Sequence, residues 1–170
     1  MRIRLEPAQP DDISYFWWLY QASYRNVIVE QFGAWDEGEQ QLAFVRKWKA
    51  GGYQRIVVDD RIGGALWTRD LDEYHEVVEI QLAPALRKRG LGTALLRREI
   101  TRAHAQRKPL RLSVLLKNPA LHLYLRLGFE VIGRSPYQYH LALAPESVAA
   151  APTLPAAMQD VKPDTGWNLV

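Results

Sequence analysis

The chain contains no cysteine. Disulfide frameworks, thiolate metal sites and thiol nucleophiles are excluded, so any catalysis must use oxygen or nitrogen groups. A strong excess of charge is also lacking: 22 Lys and Arg stand against 19 Asp and Glu, a formal net charge of +3, too small to argue for a nucleic-acid partner. No run approaches the ~18 apolar residues of a membrane span, and the opening Met-Arg-Ile-Arg-Leu has no apolar segment of signal-peptide character. The expectation is a cytoplasmic protein without membrane attachment and without a metal. What is plentiful is apolar surface. Hydrophobic residues make up 48% of the 170, enough for one filled core in a chain too short for two full domains.

Arg2 to Glu6 alternates and then meets Pro7 and Pro10, which reads as a first strand running into a turn. Asp11 or Asp12 can cap a helix from Ile13 to about Val29, dense in aromatics from Tyr15 to Tyr24. A second helix, Glu39 to Lys49, repeats Leu42, Val45 and Trp48 at helical spacing. Tyr53 to Val58, a turn at Asp59-Asp60-Arg61, Ile62 to Thr68 and Tyr74 to Leu82 read as a three-stranded meander. An amphipathic helix follows from Leu91 to Gln106, then a strand from Leu110 to Leu116, a short helix from Asn118 to Leu127 and a final strand pair over 129–133 and 139–143. The order β, αα, βββ, α, β, α, ββ predicts an α/β domain over residues 1–144, with a mixed central sheet of about seven strands and about four helices. The Ala- and Pro-rich residues 145–170 read as a C-terminal tail.

Between the third meander strand and the next helix lies Ile80-Gln81-Leu82-Ala83-Pro84-Ala85-Leu86-Arg87-Lys88-Arg89-Gly90-Leu91-Gly92-Thr93. Physically this is an anion cradle. Glycines let a ligand approach the backbone, and the first N–H groups of a helix are unpaired and carry the positive end of its dipole. Basic residues also crowd this window, with Arg97, Arg98, Arg102, Arg107 and Lys108 following Arg87, Lys88 and Arg89. A polyanionic cofactor would suit it. The Gly-Lys-Ser/Thr ending of a Walker loop and the Gly-x-Gly-x-x-Gly of a dinucleotide fold are both absent.

Arg87-x-x-Gly90-x-Gly92 resembles the Arg/Gln-x-x-Gly-x-Gly/Ala signature of the GNAT superfamily of acetyltransferases, and Leu82-Ala83-Pro84 is similar to the Val-x-Pro that commonly precedes it. Asn118 to Phe129 resembles the family segment Asn-x-x-Ala-x-x-x-Tyr-x-x-x-Gly-Phe, with His122 and Leu123 in place of more usual small or aromatic neighbours. The resemblance spans residues 1–143 in element order. It implies a GNAT-like three-layer fold with a splayed sheet, and an N-acetyltransferase moving acetyl from acetyl-CoA to a primary amine in a ternary complex. It further implies that backbone groups of Ile80 and Leu82 pair with pantetheine as an added strand. The amides of Arg87, Lys88, Arg89, Gly90, Leu91, Gly92 and Thr93 would hold the pyrophosphate, Asn118 would bind the cofactor, and Tyr124 would protonate the departing thiolate. Dimerisation is frequent in such families, so a homodimer is compatible.

An amine is protonated near neutral pH and must lose a proton before attacking a thioester. Carboxylates are the bases at hand. In a regular strand Glu76 shares the face of Ile80 and Glu79 points the other way, whereas a bulge between them reverses that parity in favour of Glu79. Two solvated strand glutamates are the structural alternative. Trp35, Asp36 and Glu37, in the junction of the first two helices, are candidate acceptor contacts or a plain solvated loop. His75 and His104 carry little information without a partner. Two rival functions stay open: a catalytically inactive module of the same fold that holds an acyl-CoA or a protein, and a nucleotide-binding protein unrelated to acetyl transfer.

Overall fold

A computed structural model describes residues 1–146; the expected tail lies almost wholly outside them. Seven strands form one sheet in the order β1-β2-β3-β4-β5-β7-β6. They are β1 (Ile3–Pro7), β2 (Tyr53–Val58), β3 (Arg61–Asp70), β4 (His75–Leu82), β5 (Leu110–Leu115), β6 (Glu130–Arg134) and β7 (Gln138–Leu143). All neighbours pair antiparallel except β4 and β5, which run parallel. Helices α1 (Ile13–Phe32) and α2 (Glu37–Ala50) cover one face, and α3 (Leu91–Ala105) and α4 (Ala120–Arg126) the other. This is the α/β arrangement with a mixed sheet expected from the element order, in the three layers that the GNAT resemblance implies.

The β2–β3 hairpin turns on Asp59 and Asp60, both with positive φ of 46° and 66°, the mirror-image turn whose twist suits a two-residue hairpin. α1 runs three residues past the predicted end because its stop signal is Gly33, left-handed at φ 86°. The face of α2 differs from expectation. Leu42 is 65% exposed, and the buried residues are Gln40, Phe44 and Lys47. A lysine reads as solvent-facing in any apolar pattern, and here it turns inward to a carboxylate.

Two irregularities in β4 position the site. The register against β3 slips between Trp67 and Thr68, pairing Trp67 with Glu79 and Thr68 with Val77, so Val78 is an extra residue. This bulge reverses side-chain parity. Val77 and Ile80 accordingly pack on the α3 side although three residues apart, while Glu76, opposite Arg69, shares the α1/α2 side with Glu79. The regular-strand expectation that Glu76 shares a face with Ile80 is thereby corrected. Second, β4 pairs with β5 only at His75–Val77 against Leu110–Leu112. Beyond that point the two strands splay.

Candidate active site

The splay leaves one edge of β4 unpaired from Val78 to Leu82. The Ala83 amide donates to the Gly63 carbonyl at 2.8 Å, across to β3. By alternation the backbone of Gln81 also faces β3, and that of Ile80 and Leu82 faces the gap. The end of this edge runs through a 3-10 turn at Pro84–Leu86 into the start of α3. Gly90 caps that helix at φ 79°, and a Cβ there would meet nothing within 4 Å, so the space beside it is open. Lys88 is also left-handed, at φ 57°. The turn brings successive backbone amides around a helix N-terminus, a geometry suited to an anion.

Arg87 takes a different part from its neighbours. Its amide closes the turn on the Pro84 carbonyl at 3.2 Å. Its guanidinium donates to the carbonyls of Leu82 (2.8 Å) and Ala22 (3.1 Å) and to Ser23 Oγ (3.3 Å). Arg87 therefore fastens the loop to β4 and α1, and the amides left to face a ligand begin at Lys88.

Across the sheet, Glu79 is the point of convergence. Tyr24 of α1 and Gln81 Nε2 (2.8 Å) donate to its Oε1; Lys47 Nζ of α2 (2.7 Å) and the Tyr53 hydroxyl of β2 (3.4 Å) donate to its Oε2. The Glu79 side chain has no exposed surface and that of Lys47 only 6%. Burial pushes the phenols of Tyr24 and Tyr53 well up, and the Glu79 charge adds to this. The Lys47 ammonium is pulled down by burial and partly restored by Glu79. Glu76, by contrast, is held by Arg69 at 2.8 and 2.6 Å where β4 and β5 are still paired.

Tyr124 sits on α4 behind the gap, buried and edge-on to Phe129 at 6.0 Å. Its hydroxyl is raised by burial first and by the charge of Glu79 second. Asn118 Oδ1 accepts the Ala120 amide at 2.9 Å, starting α4.

Trp35, Asp36 and Glu37 have engagements of their own. Asp36 caps α2 through the Glu39 amide at 2.9 Å, and Glu37 accepts from Trp35 Nε1 (2.7 Å) and Arg25 (3.1 Å). Trp35 nonetheless packs at 6.2 Å from Tyr20, whose hydroxyl donates to Gln40. His75, unremarkable in the sequence, is fully buried with Nε2 at 2.9 Å from Glu99 of α3. His104 lies at the surface beside the Ala144 carbonyl.

Sequence reasoning missed Tyr24, Lys47, Tyr53 and Gln81. Signals existed for two of them. Tyr24 lies one turn after Tyr20 on a helix already read as aromatic, and Lys47 follows Phe44 at i+3 on the same face. Among the described residues no helix is long and apolar enough to cross a membrane, and no three His, Asp or Glu gather to hold a metal.

Residues 51–131 match the family model described as an acetyltransferase (GNAT) domain. No curated protein matches the sequence. Among solved structures, the fold is similar to the PaiA N-acetyltransferase of Thermoplasma acidophilum in complex with coenzyme A. The TM-score is 0.65 at 15% identity, covering 85% of this chain and 99% of that one. An acetyltransferase from Thermus thermophilus has a TM-score of 0.65 at 16% identity, covering 85% and 97% of the two chains. An N-acetyltransferase from Staphylococcus aureus has a TM-score of 0.60 at 15% identity, covering 82% and 100%. The glycine signature, the seven-stranded sheet and the domain matched over residues 51–131 together make the chain similar to the GNAT acetyltransferases, with the same fold as the solved structures.

Proposed function

We propose that this protein is a cytoplasmic N-acetyltransferase that moves the acetyl group of acetyl-CoA onto a primary amine of a small molecule, by direct attack with both substrates bound. The observation that carries this reading is the unpaired edge of β4, which ends at a glycine-opened helix N-terminus and belongs to the strand that carries Glu79.

The site fits the cosubstrate part by part. The backbone of Ile80 and Leu82 offers an edge for the amides of pantetheine, and the Arg87 staple fixes that edge relative to the loop. The amides of Lys88, Arg89, Gly90, Leu91, Gly92 and Thr93 surround the open space at Gly90 and would take the diphosphate. Asn118 has spent its oxygen on α4, which leaves its Nδ2 hydrogens to donate to the ligand. Bound acetyl-CoA supplies an activated acyl group. Tyr124 is the acid for the departing thiolate: its raised hydroxyl stays protonated at neutral pH and so has a proton to give. The amine's proton leaves toward the Glu79 cluster, with Glu76 assigned to the fold through Arg69. Trp35, Asp36 and Glu37 are proposed as the outer wall of the acceptor site, a reading supported by the packing of Trp35 against Tyr20 at 6.2 Å.

A second reading, an inactive module that only holds an acyl-CoA, gains support from Glu79 having both oxygens doubly engaged. Calorimetric titration with acetyl-CoA and with ATP tests the cofactor half of the proposal. Micromolar affinity for ATP with none for acetyl-CoA would remove both readings, and acetyl-CoA binding without thiol release over a panel of amines would leave only the second.

A further inference from the structure

We propose that His140, held by Ser113, is the base that takes the proton from the acceptor amine; this rests on the acetyltransferase reading above. Alternation along the strands sets the side on which these residues lie. Leu110, Leu112 and Val114 of β5 and Tyr139, Leu141 and Leu143 of β7 pack in the core under α3 and α4. Arg111, Ser113, His140 and Ala142 therefore face the α1/α2 side, with Glu76 and Glu79. The β4–β5 register ends with Val77 opposite Leu112. One residue further, Ser113 stands level with Val78, the extra residue beside Glu79, and His140 is its partner on β7. Glu79 and His140 thus flank the opening of the splay on one face of the sheet, their strands two spacings apart, about 10 Å or more. An amine held over the open edge of β4 comes between them.

Of the two, His140 has the lone pair to spare. A carboxylate has about four lone-pair positions, and those of Glu79 face four donors, from Tyr24, Gln81, Lys47 and Tyr53. Its charge draws the proton to this face but leaves no position to receive it. Glu76 is engaged by Arg69 at 2.8 and 2.6 Å. The His140 side chain is only partly buried, and its Nδ1 lies 2.8 Å from Ser113 Oγ, its one hydrogen-bond partner among the described residues. On the other flank the opposing β6 residue is Gly133, where a side chain would start 3.7 Å from Cδ2, the ring carbon beside Nε2. With Nδ1–H donating to Ser113, the Nε2 lone pair is open to the amine. Burial lowers the imidazole below its ordinary value, so the ring is neutral and able to accept at neutral pH. The charged and titratable groups around this face are Glu76 and Glu79 of β4, Arg69 of β3, Arg111 of β5 and Glu130 of β6, opposite Ala142, with Tyr24 of α1 and Lys47 of α2 at Glu79.

The protons balance as follows. The acceptor ammonium passes one proton to His140 Nε2, and its nitrogen forms a bond to the acetyl carbon. The carbon–sulfur bond breaks, and the thiolate takes the Tyr124 proton. The nitrogen's second surplus proton restores Tyr124, and His140 later releases its own to water. The net products are the N-acetyl amide, the free thiol and one proton.

Two measurements on the intact protein decide it. The first is coenzyme A release across pH at saturating acetyl-CoA, where kcat/KM for the amine is expected to fall toward acid as His140 takes up its proton. His140→Gln keeps a polar side chain beside Ser113 but cannot accept that proton. It is expected to lower kcat/KM for the amine about 100-fold or more, to remove the acid limb and to leave the KM for acetyl-CoA unchanged. Turnover within a few-fold of wild type with the limb retained overturns the assignment. The second, which needs no variant, is NMR titration of the histidine rings of the wild-type protein saturated with coenzyme A. The His140 midpoint should coincide with the acid limb; a midpoint elsewhere, or a ring that does not titrate, overturns the assignment. If wild type itself releases no thiol with any amine, the acetyltransferase reading is what falls, and this assignment with it.

Discussion

Lys47 Nζ of α2 lies 2.7 Å from Glu79 Oε2 of β4, and neither side chain has more than a trace of exposed surface. This pair joins the α1/α2 layer to β4, the strand whose other edge is left open by the splay from β5.

Its stability consequence is direct. Removing one member of a buried pair leaves the other charge uncompensated, a loss of about 3–5 kcal/mol, whereas removing both charges together costs far less. Glu79→Ala is expected to lower the unfolding free energy by that amount, read as a lower denaturant midpoint. The double variant Glu79→Gln, Lys47→Met should recover most of it, as equilibrium unfolding will show.

Tyr124→Phe keeps the ring packed against Phe129 and removes only the hydroxyl. Turnover is expected to fall by roughly 10²–10⁴, with acetyl-CoA affinity by calorimetry nearly intact. Unchanged turnover would take Tyr124 out of the acid role.

Gly90→Val should do the reverse. The left-handed φ of 79° is strained for any β-branched residue, by roughly 1–2 kcal/mol, and the new side chain enters the open space beside the loop. Acetyl-CoA binding is expected to weaken tenfold or more, measured by titration, while the Glu79 cluster on the opposite face stays in place.

The pH dependence follows from the tyrosines. Tyr20, Tyr24, Tyr53 and Tyr124 are all raised by burial and by Glu79. A group raised in the folded state contributes stability fully present below its unfolded pKa, about 10 for tyrosine, and loses it as pH rises toward the folded value. Stability should therefore fall above about pH 10, and these four of the eight tyrosines should ionise only together with unfolding. Ultraviolet tyrosine titration followed alongside circular dichroism checks it; smooth ionisation of all eight in the folded protein would contradict it.

The order of strands and helices was legible in the sequence because each element carries its own period and many helices their own stop signal, as Gly33, Gly51 and Gly128 show. The glycine turn into α3 was legible because Arg87, Lys88, Arg89 and Gly90 crowd the residues just before the helix. The face of α2 was not. Apolar spacing selected Leu42, and only the tertiary pairing with Glu79 turns Lys47 inward. The parity of Glu76 and Glu79 depended on a single extra residue, Val78, which no local pattern marks. Tyr53 and Tyr24 meet at Glu79 from positions 26 and 55 residues away, a convergence that only the folded chain creates.

Acetyl transfer to an amine is tested by coenzyme A release from acetyl-CoA over a broad library of primary amines, run in parallel with Tyr124→Phe. At least one amine should support release by the wild-type protein, with the variant strongly impaired on that same amine. Acetyl-CoA binding without release for any amine, or release that the variant matches, would contradict the account.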